Sequence, residues 1–327
     1  MPLELNLNLA SFTEKHRAVP LQPNTMCDVL ILGGGPAALA AAVYCMRKGV
    51  KTGLISKDIG GQVIETAGIE NYIGYKYIEG RELVDKFRDQ VKQFEIGYSE
   101  GLKATSITSD NIKKVYLEDG NFYQAKALII ATGKSSRKLN VPGEKKLTGK
   151  GVAYCAICDA PLFAGKRVAV VGGGNSGIEA AIDLAKVAEY VTLIQFRDKL
   201  TGDKVLIDRL DIFNNVTILL EHEVLEINGT EDVESIVVKD RKSGEKKQID
   251  AQGVFIEIGL IPNTDFVKGI VELNQYGEIK VDCACRTNVP GIFAAGDVTS
   301  VPFKQIIIAA GEGAKAALSA CDYVLKV

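Results

Sequence analysis

Two stretches of the chain share one hydrophobic pattern. Val29 to Leu32 and Val168 to Val171 are short unbroken apolar runs. Each ends in three glycines, Gly33 to Gly35 and Gly172 to Gly174, and passes into an alanine-rich segment with apolar positions at helical spacing. A brief apolar run bounded by glycine reads as a buried strand, and apolar spacing of three to four reads as a helix, so each stretch predicts strand, tight turn, helix. A second apolar run follows each helix, Val50 to Ser56 and Tyr190 to Phe196, completing a βαβ unit.

The remaining pattern extends both units. Glu79 to Phe94 predicts a helix, Ile107 to Tyr123 a set of short alternating strands, and Ala127-Leu-Ile-Ile-Ala-Thr-Gly133 a buried strand. Beyond the second unit come a helix over Lys204 to Phe213 and strands near Val216 to Leu220, Ser235 to Asp240 and Gly253 to Ile258. Leu260-Ile-Pro-Asn interrupts the pattern. Gly291-Ile-Phe-Ala-Ala-Gly-Asp297 predicts a strand and glycine loop before a helix to the C-terminus. The class expected is α/β, with two Rossmann-like three-layer domains, each a parallel sheet with helices on one side and a smaller antiparallel layer on the other. The second domain, 139–262, is inserted in the first, 25–138 and 263–327. Residues 1–24 stand apart; Leu3, Leu5, Leu7 and Leu9 alternate with polar residues as an edge strand or an unordered tail would.

Composition narrows the function. Hydrophobic residues make up 46% and charged residues 24%, the ordinary balance of a globular chain. Lys+Arg of 39 against Asp+Glu of 41 leaves a net charge of −2, which gives no field for nucleic acid or an anionic membrane. The longest apolar run, Ala37 to Met46, is too short to span a bilayer, and the N-terminus lacks the layout of a secretory signal, so a cytoplasmic protein is expected. Seven cysteines at irregular spacing do not make a secreted disulfide framework.

Glycine, at 33 residues, exceeds the usual ~7%, and the repeat explains part of the excess. Gly33-x-Gly35-x-x-Ala38 and Gly172-x-Gly174-x-x-Gly177 each follow a strand and open a helix, the context of a dinucleotide fingerprint. The first position allows the tight turn, the second lets backbone approach a pyrophosphate, and the third lets helix and sheet close up. The helix N-terminus then offers free N–H groups to phosphate. The bland alternative for each is tight strand–helix packing without ligand; two such motifs suggest a flavin and a nicotinamide together. The acidic ribose ligand expected about 20 positions on is missing from both: one strand ends at Ser56-Lys57, the other at Gln195-Phe196-Arg197. Gln195 could bond a ribose hydroxyl and Arg197 reach a 2′-phosphate.

Cys155-Ala-Ile-Cys158-Asp159 is the other concentrated signal. Two thiols at i and i+3 can close a small disulfide and read as redox-active; half a zinc site and inert burial are the alternatives. A zinc site needs a second pair, and Cys283-Ala-Cys285 has the wrong spacing. Asp159 is either the proton donor and acceptor for thiol exchange or a solvated loop carboxylate. Cys283 and Cys285 should face one side of a strand, and with Cys27, Cys45 and Cys321 they read as core residues. His16 and His222 belong to no motif.

Together, the two fingerprints, the Cys-x-x-Cys-Asp just ahead of the second, Ala131-Thr132-Gly133 and Gly296-Asp297 resemble the low-molecular-weight thioredoxin reductases. Gly151-Val-Ala-Tyr-Cys-Ala-Ile-Cys-Asp-Ala-Pro-Leu-Phe163 and Lys304-Gln-Ile-Ile-Ile-Ala-Ala-Gly-Glu-Gly-Ala-Lys-Ala316 are still more similar to the flavoprotein subunit of alkyl hydroperoxide reductase. The resemblance covers about residues 26–327. It implies FAD held by the first fingerprint (Gly33, Gly35, Pro36, Ala37, Ala38), Gly60, Gly61, Gln62, Asn71, Thr132, Gly133, Gly296, Asp297, Lys304, Gln305 and Ile306. It implies NADH or NADPH at Gly172, Gly174, Asn175, Ser176 and Gly177, with Gln195 and Arg197 at its ribose end. It implies that Cys158 meets the flavin, that Cys155 is the interchange thiol, that Asp159 is the acid-base group, and that the protein is a homodimer.

Three departures qualify these expectations. The NADPH-type reductases carry His-Arg-Arg-x-x-x-Arg where this chain has Gln195, Phe196, Arg197 and Thr201, and the NADH-linked peroxide-reductase flavoprotein has Glu where this chain has Gln195. The balance favours NADH. The N-terminal relay domain of that flavoprotein has no counterpart here, so Cys155 is expected to serve a separate thioredoxin- or glutaredoxin-like protein. The N-terminal extension has no assigned role. The expected activity is an FAD-dependent NAD(P)H:protein-disulfide oxidoreductase of the thioredoxin-reductase type. Reduction of the flavin by ferredoxin or another carrier, and a non-catalytic flavoprotein redox sensor, are the alternatives.

Overall fold

The two βαβ units fall in different compact parts of the chain in the computed structural model, which describes residues 19–66 and 68–326. One part comprises residues up to 59, 85–133 and from 264 onward; the other comprises 60–84 and 134–263. Segment 60–84 thus groups with the second part, although the sequence pattern places it within 25–138. Its tie is visible at Gln62, whose Nε2 donates to the Lys134 carbonyl at 2.8 Å.

The first part is built on one mixed sheet. Its strands run in the order Val19–Pro20, Gly97–Glu100, Thr52–Ser56, Met26–Leu32, Phe122–Ile130, Lys113–Leu117, Ala104–Ile107, and Ile292–Ala294 also pairs with Phe122–Ile130. Met26–Leu32 is parallel to both neighbours, with Val29 opposite Thr52 and Leu30 opposite Leu128. Val29, Leu30 and Ile31 are wholly buried, as a parallel strand covered on both faces requires. Phe122–Ile130 changes character along its length. Its first half alternates buried and half-buried positions and pairs antiparallel with Lys113–Leu117; its second half is buried throughout and pairs parallel with Ile292–Ala294. Sequence pattern finds only that second half, because only it reads as an unbroken apolar run. Val19–Pro20 adds a short parallel edge beside Gly97–Tyr98, so the described end of the 1–24 extension joins the sheet. The Leu3 to Leu9 alternation lies outside the described residues.

The second part has the layers its sequence predicts. Five parallel strands run in the order Val216–Leu219, Tyr190–Ile194, Arg167–Val171, Gly253–Ile256, Val152–Ala153. Successive side chains point to opposite faces. Val168 and Val170 therefore pack with Ile178 and Leu184 of the helix Asn175–Ala185. Ala169 and Val171 pack with Ile227, Ile236 and Val238 of an antiparallel sheet formed by His222–Asn228, Ser235–Asp240 and Lys246–Asp250. The break expected at Leu260-Ile-Pro is a strand, Leu260–Pro262, paired antiparallel with Lys134–Ser136.

The C-terminal helix of the first part, Ile306–Val324, packs on its fingerprint helix, Pro36–Arg47. Cys45 and Cys321 meet there, both buried, with sulfurs 3.9 Å apart. The expectation for Cys283 and Cys285 needs correction: they lie in a turn, not a strand, and do not share a face. Asp282 Oδ1 accepts from the Ala284 and Arg286 amides, which folds the chain so that Cys283 is exposed and Cys285 buried. Among the described residues no helix is long and apolar enough to cross a membrane.

Candidate dinucleotide cradles and the redox cysteine

In the first part, three loops leave neighbouring parallel strands at their carboxyl ends: Gly33–Gly35 after Met26–Leu32, Thr132–Gly133 after Phe122–Ile130, and Gly296–Asp297 after Ile292–Ala294. Ligands of open α/β sheets bind at that edge. Gly33 has φ +129°, and a Cβ there would stand 2.2 Å from the Ala131 carbonyl oxygen; a Cβ at Gly34 would stand 2.0 Å from that of Asp58. Those glycines are set by protein packing. Gly35, the helix N-cap, has nothing of the protein within 4 Å of its Cβ position, which leaves open space at the helix N-terminus. Pro36 occupies the first helical turn, where a missing N–H costs nothing. Ala37 and Ala38 are buried behind it.

Other residues expected around FAD line up along the same edge. Gly296, at φ +75°, donates its amide to buried Glu312 at 3.1 Å, and its α-carbon faces Ala37. Lys304 Nζ donates to the Thr299 carbonyl at 2.6 Å and pairs with Glu278 at 3.5 Å, fixing the chain just before Gln305, the N-cap of the last helix, and Ile306, its first residue. At the end of the adjacent strand Ser56 is buried beside Gly34. Its Oγ is buried together with the Tyr98 hydroxyl, and burial, ahead of Glu100, pushes the Tyr98 phenol up. An open cradle with a buried serine hydroxyl at the end of the adjacent strand fits a dinucleotide with a ribose to bond. Gly60, Gly61, Gln62 and Asn71 belong to the other compact part. Gly60 and Gly61 have φ +106° and +55°, and Gln62 Oε1 accepts from Ser136 Oγ at 3.4 Å, so its carboxamide is committed to the Lys134–Ser136 strand. Asn71 is exposed in a bend.

The second fingerprint repeats the division of labour. Gly172, at φ +126°, lies against the Glu257 carbonyl, with 2.3 Å from a Cβ to that oxygen, and a Cβ at Gly177 would stand 1.9 Å from the Gly172 oxygen. Gly174 is open, its nearest neighbour being Thr201 Oγ1 at 4.0 Å. Asn175 and Asp203 bond each other twice, at 3.0 and 2.8 Å. Gln195 is buried against Gly173 and donates to the Lys199 carbonyl at 3.1 Å, while Arg197 is exposed. Sequence reasoning missed Arg241, whose guanidinium stacks 3.7 Å from the Phe196 ring centroid and donates to the Phe196 carbonyl at 2.9 Å. It arrives from a distant hairpin.

The redox segment belongs to this same part. Cys155 is half of a disulfide and is the extended N-cap of a one-turn helix, Ala156–Asp159, which runs on into a 3₁₀ turn, Ala160–Phe163. The Cys158 side chain is not among those described. Phe163 anchors the far end: a Cβ at Gly253 would stand 2.3 Å from its ring, which sits edge-on to Phe255 at 5.0 Å. At the near end Tyr154 donates its hydroxyl to Glu144 at 2.8 Å under Lys138 Nζ, and buried Glu144 also accepts from the Leu139 and Asn140 amides. Asp159 is buried, its amide donates to the Cys155 carbonyl at 3.1 Å, and it lines a cavity of ≈ 350 Å³ with Gly149–Ala153, Lys166 and Asp232.

Glu257, just past the strand Gly253–Ile256, was also missed. Its Oε1 accepts the Ala156 amide at 3.3 Å, and it hydrogen-bonds Ser176 on the fingerprint helix. Burial, with a smaller contribution from Glu179, pushes its carboxyl up to about 7, and the two hydrogen bonds offset part of that rise. The signal was a single charge inside the apolar run Val254-Phe-Ile-Glu-Ile.

Two sheets, each with parallel strands that lead at their carboxyl ends into a glycine cradle, define the class of α/β oxidoreductases that handle two dinucleotides. The chain belongs to the pyridine nucleotide-disulphide oxidoreductase family, whose sequence pattern matches residues 27–313. It is 50% identical over 300 residues to the F subunit of alkyl hydroperoxide reductase in Staphylococcus aureus (strain MSSA476), covering 91% of this chain and 59% of that protein. It is 44% identical over 328 residues to the protein of the same name in Escherichia coli (strain K12), covering 99% and 63%. The chain thus spans about three-fifths of the length of these curated relatives. The crystal structure of thioredoxin reductase from Streptococcus pyogenes MGAS5005 superposes with a TM-score of 0.86 at 38% identity, covering 93% of this chain and 100% of that one. The expected α/β class with two Rossmann-like domains is therefore met, and the family implies FAD and a pyridine nucleotide.

Proposed function

We propose that this chain is a protein-disulfide reductase that takes electrons from NADH and delivers them, through Cys155 and Cys158, to a thioredoxin- or glutaredoxin-like protein. The observation that carries the reading is the disulfide at Cys155 held on a short helix beside an open glycine cradle in the same compact part. Residues 33–38, 132–133 and 296–306 would hold FAD, with Gly60, Gly61, Gln62 and Asn71 assigned to it by resemblance; residues 172–177, Gln195 and Arg197 would hold the nicotinamide nucleotide. When bound, the flavin supplies the conversion of a hydride into the electron pair that opens a disulfide.

The chain's own residues then act in order. Cys155, as thiolate, attacks one sulfur of the partner disulfide, forming a mixed disulfide and releasing the other partner sulfur as thiolate. Cys158 attacks the Cys155 sulfur, restoring the internal disulfide and freeing the second partner sulfur. Asp159 takes the proton from the attacking thiol and returns it to the leaving sulfur, with the cavity along Gly149–Ala153 as its route to solvent.

Anaerobic titration tests the donor: NADH should bleach the flavin at lower concentration than NADPH, and bleaching by neither would point to a carrier such as ferredoxin. Cys158→Ser should keep bleaching by NADH yet lose thioredoxin reduction. Surviving thioredoxin turnover would falsify the mechanism, and normal bleaching with no activity toward any thioredoxin-like protein would favour a redox sensor.

A further inference from the structure

One carboxyl group ties the redox helix to the nucleotide helix. Glu257 Oε1 takes the amide of Ala156, the first N–H of the helix capped by Cys155, and the same carboxyl bonds Ser176, next to the open N-cap glycine of Asn175–Ala185. Its backbone is fixed as firmly: its amide donates to the Val171 carbonyl at 2.8 Å, and its own carbonyl lies against Gly172. Glu257 is thus held through both its backbone and its carboxyl.

A thiolate is favoured by unpaired backbone amides beside it and disfavoured by a nearby negative charge. Glu257 as a carboxylate occupies one of those amides and adds a negative charge beside Cys155. We propose that Glu257 is a positioning residue for the redox thiol: charged, it holds the Ala156 amide and suppresses the Cys155 thiolate, and neutral, it lifts that suppression. This role rests on the proposed redox use of Cys155 but concerns only how readily that thiol ionises.

The surroundings of Glu257 suit a switch in the neutral range. Burial opposes its charge, Glu179 on the nucleotide helix opposes it further, and the Ala156 amide and Ser176 hydroxyl favour it, leaving its proton to dissociate at about 7. The redox helix faces it with the Ala156 amide and the neighbouring Cys155, and the nucleotide helix faces it with Ser176 and Glu179. Above that pH the thiol should ionise less readily than its helix position alone would allow. Below it the restraint is gone.

The test uses the FAD-loaded protein with Cys158→Ser, so that Cys155 stays a free thiol, and follows carbamidomethylation of the Cys155 peptide by iodoacetamide from pH 5.5 to 9, with exposed Cys283 as internal reference. Adding Glu257→Gln keeps an acceptor for Ala156 but removes the charge. The Cys155 rate at pH 7.5–8 should rise about three- to tenfold, as a thiol pKa lowered by up to one unit gives, and the two profiles should converge below pH 6. Ser176→Ala, which removes a bond favouring the charged form, should shift the Cys155 profile the same way by a smaller amount. Superimposable profiles, or a ratio constant across the whole range, would overturn the proposal and leave Glu257 a packing residue. Neither result depends on thioredoxin turnover, so it fails separately from the reductase reading.

Discussion

Gly313 on the last helix faces Ala37 on the first fingerprint helix so closely that a methyl group on it would stand 2.0 Å from the Ala37 carbonyl oxygen. Backbone cannot yield there as a side chain could. Gly313→Ala should therefore push the two helices apart at the turn that opens the first cradle. Overpacking of this kind costs about 1–3 kcal/mol. The melting temperature should fall by several degrees and the protein should purify with less FAD. A variant that melts with wild type and holds full FAD would contradict this.

Gly35 and Gly174 make the opposite case, since a Cβ at either meets empty space and neither has positive φ. Gly35→Ala and Gly174→Ala should leave the fold as stable as wild type. Gly35→Ala should weaken FAD retention by tenfold or more, on the order of 1.4 kcal/mol. Gly174→Ala should raise the KM for the nicotinamide nucleotide with FAD content unchanged. Loss of stability without loss of binding in either variant would show that the glycine serves packing alone.

Gln195 is buried at the strand end where a ribose ligand stands in this fold. Gln195→Glu should place a carboxylate near any 2′-phosphate and raise the KM for NADPH about tenfold, with NADH little affected. The NADH/NADPH ratio of kcat/KM reads this directly. An unchanged ratio would mean that Gln195 is not at the ribose end.

Glu257 gives stability a pH dependence whose sign is fixed. Its carboxyl is raised from 4.5 to about 7 in the fold, mainly by burial. A group that holds its proton more tightly when folded contributes most below its unfolded value, and the contribution is lost as pH rises through the folded one. The advantage of Glu257→Gln over wild type in melting temperature should therefore grow from pH 5 to pH 8. A constant difference would refute the burial of that charge.

The cysteines allow a simple check of the core. Cys283 is exposed, while Cys27, Cys45, Cys285 and Cys321 are buried, and burial pushes Cys27 and Cys285 up to about 11. Without reductant, maleimide should label Cys283 within minutes and those four only after unfolding. Rapid native labelling of Cys45 or Cys321 would mean that the helix pair Pro36–Arg47 and Ile306–Val324 opens.

What the sequence made legible was local. Both glycine clusters and the strands feeding them are contiguous patterns, and each stands where its spacing implied. The missed features join distant positions. Glu257 reaches Ala156 across 101 residues and Arg241 reaches Phe196 across 45, and no period in the chain encodes such pairs. The strand His222–Asn228 was overlooked for another reason: a bulge between Val224 and Glu226 breaks its alternation, erasing the period-two signal. The bonds of Gln62 to Lys134 and Ser136 likewise span 72 and 74 residues.

The ribbon of Lys134–Ser136 and Leu260–Pro262 bears on how the chain folds. Leu128–Ile130 must find Ile292–Ala294 across the whole inserted stretch, a long loop to close and, by contact order, a slow pairing. Lys134 pairs with Pro262, so once the inserted stretch has folded its two ends already lie side by side. The effective loop left between the parallel strands then shrinks to residues 131–133 on one side of the ribbon and 263–291 on the other. The topology favours an order in which the inserted stretch forms first and the surrounding sheet closes over a shorter effective loop afterwards.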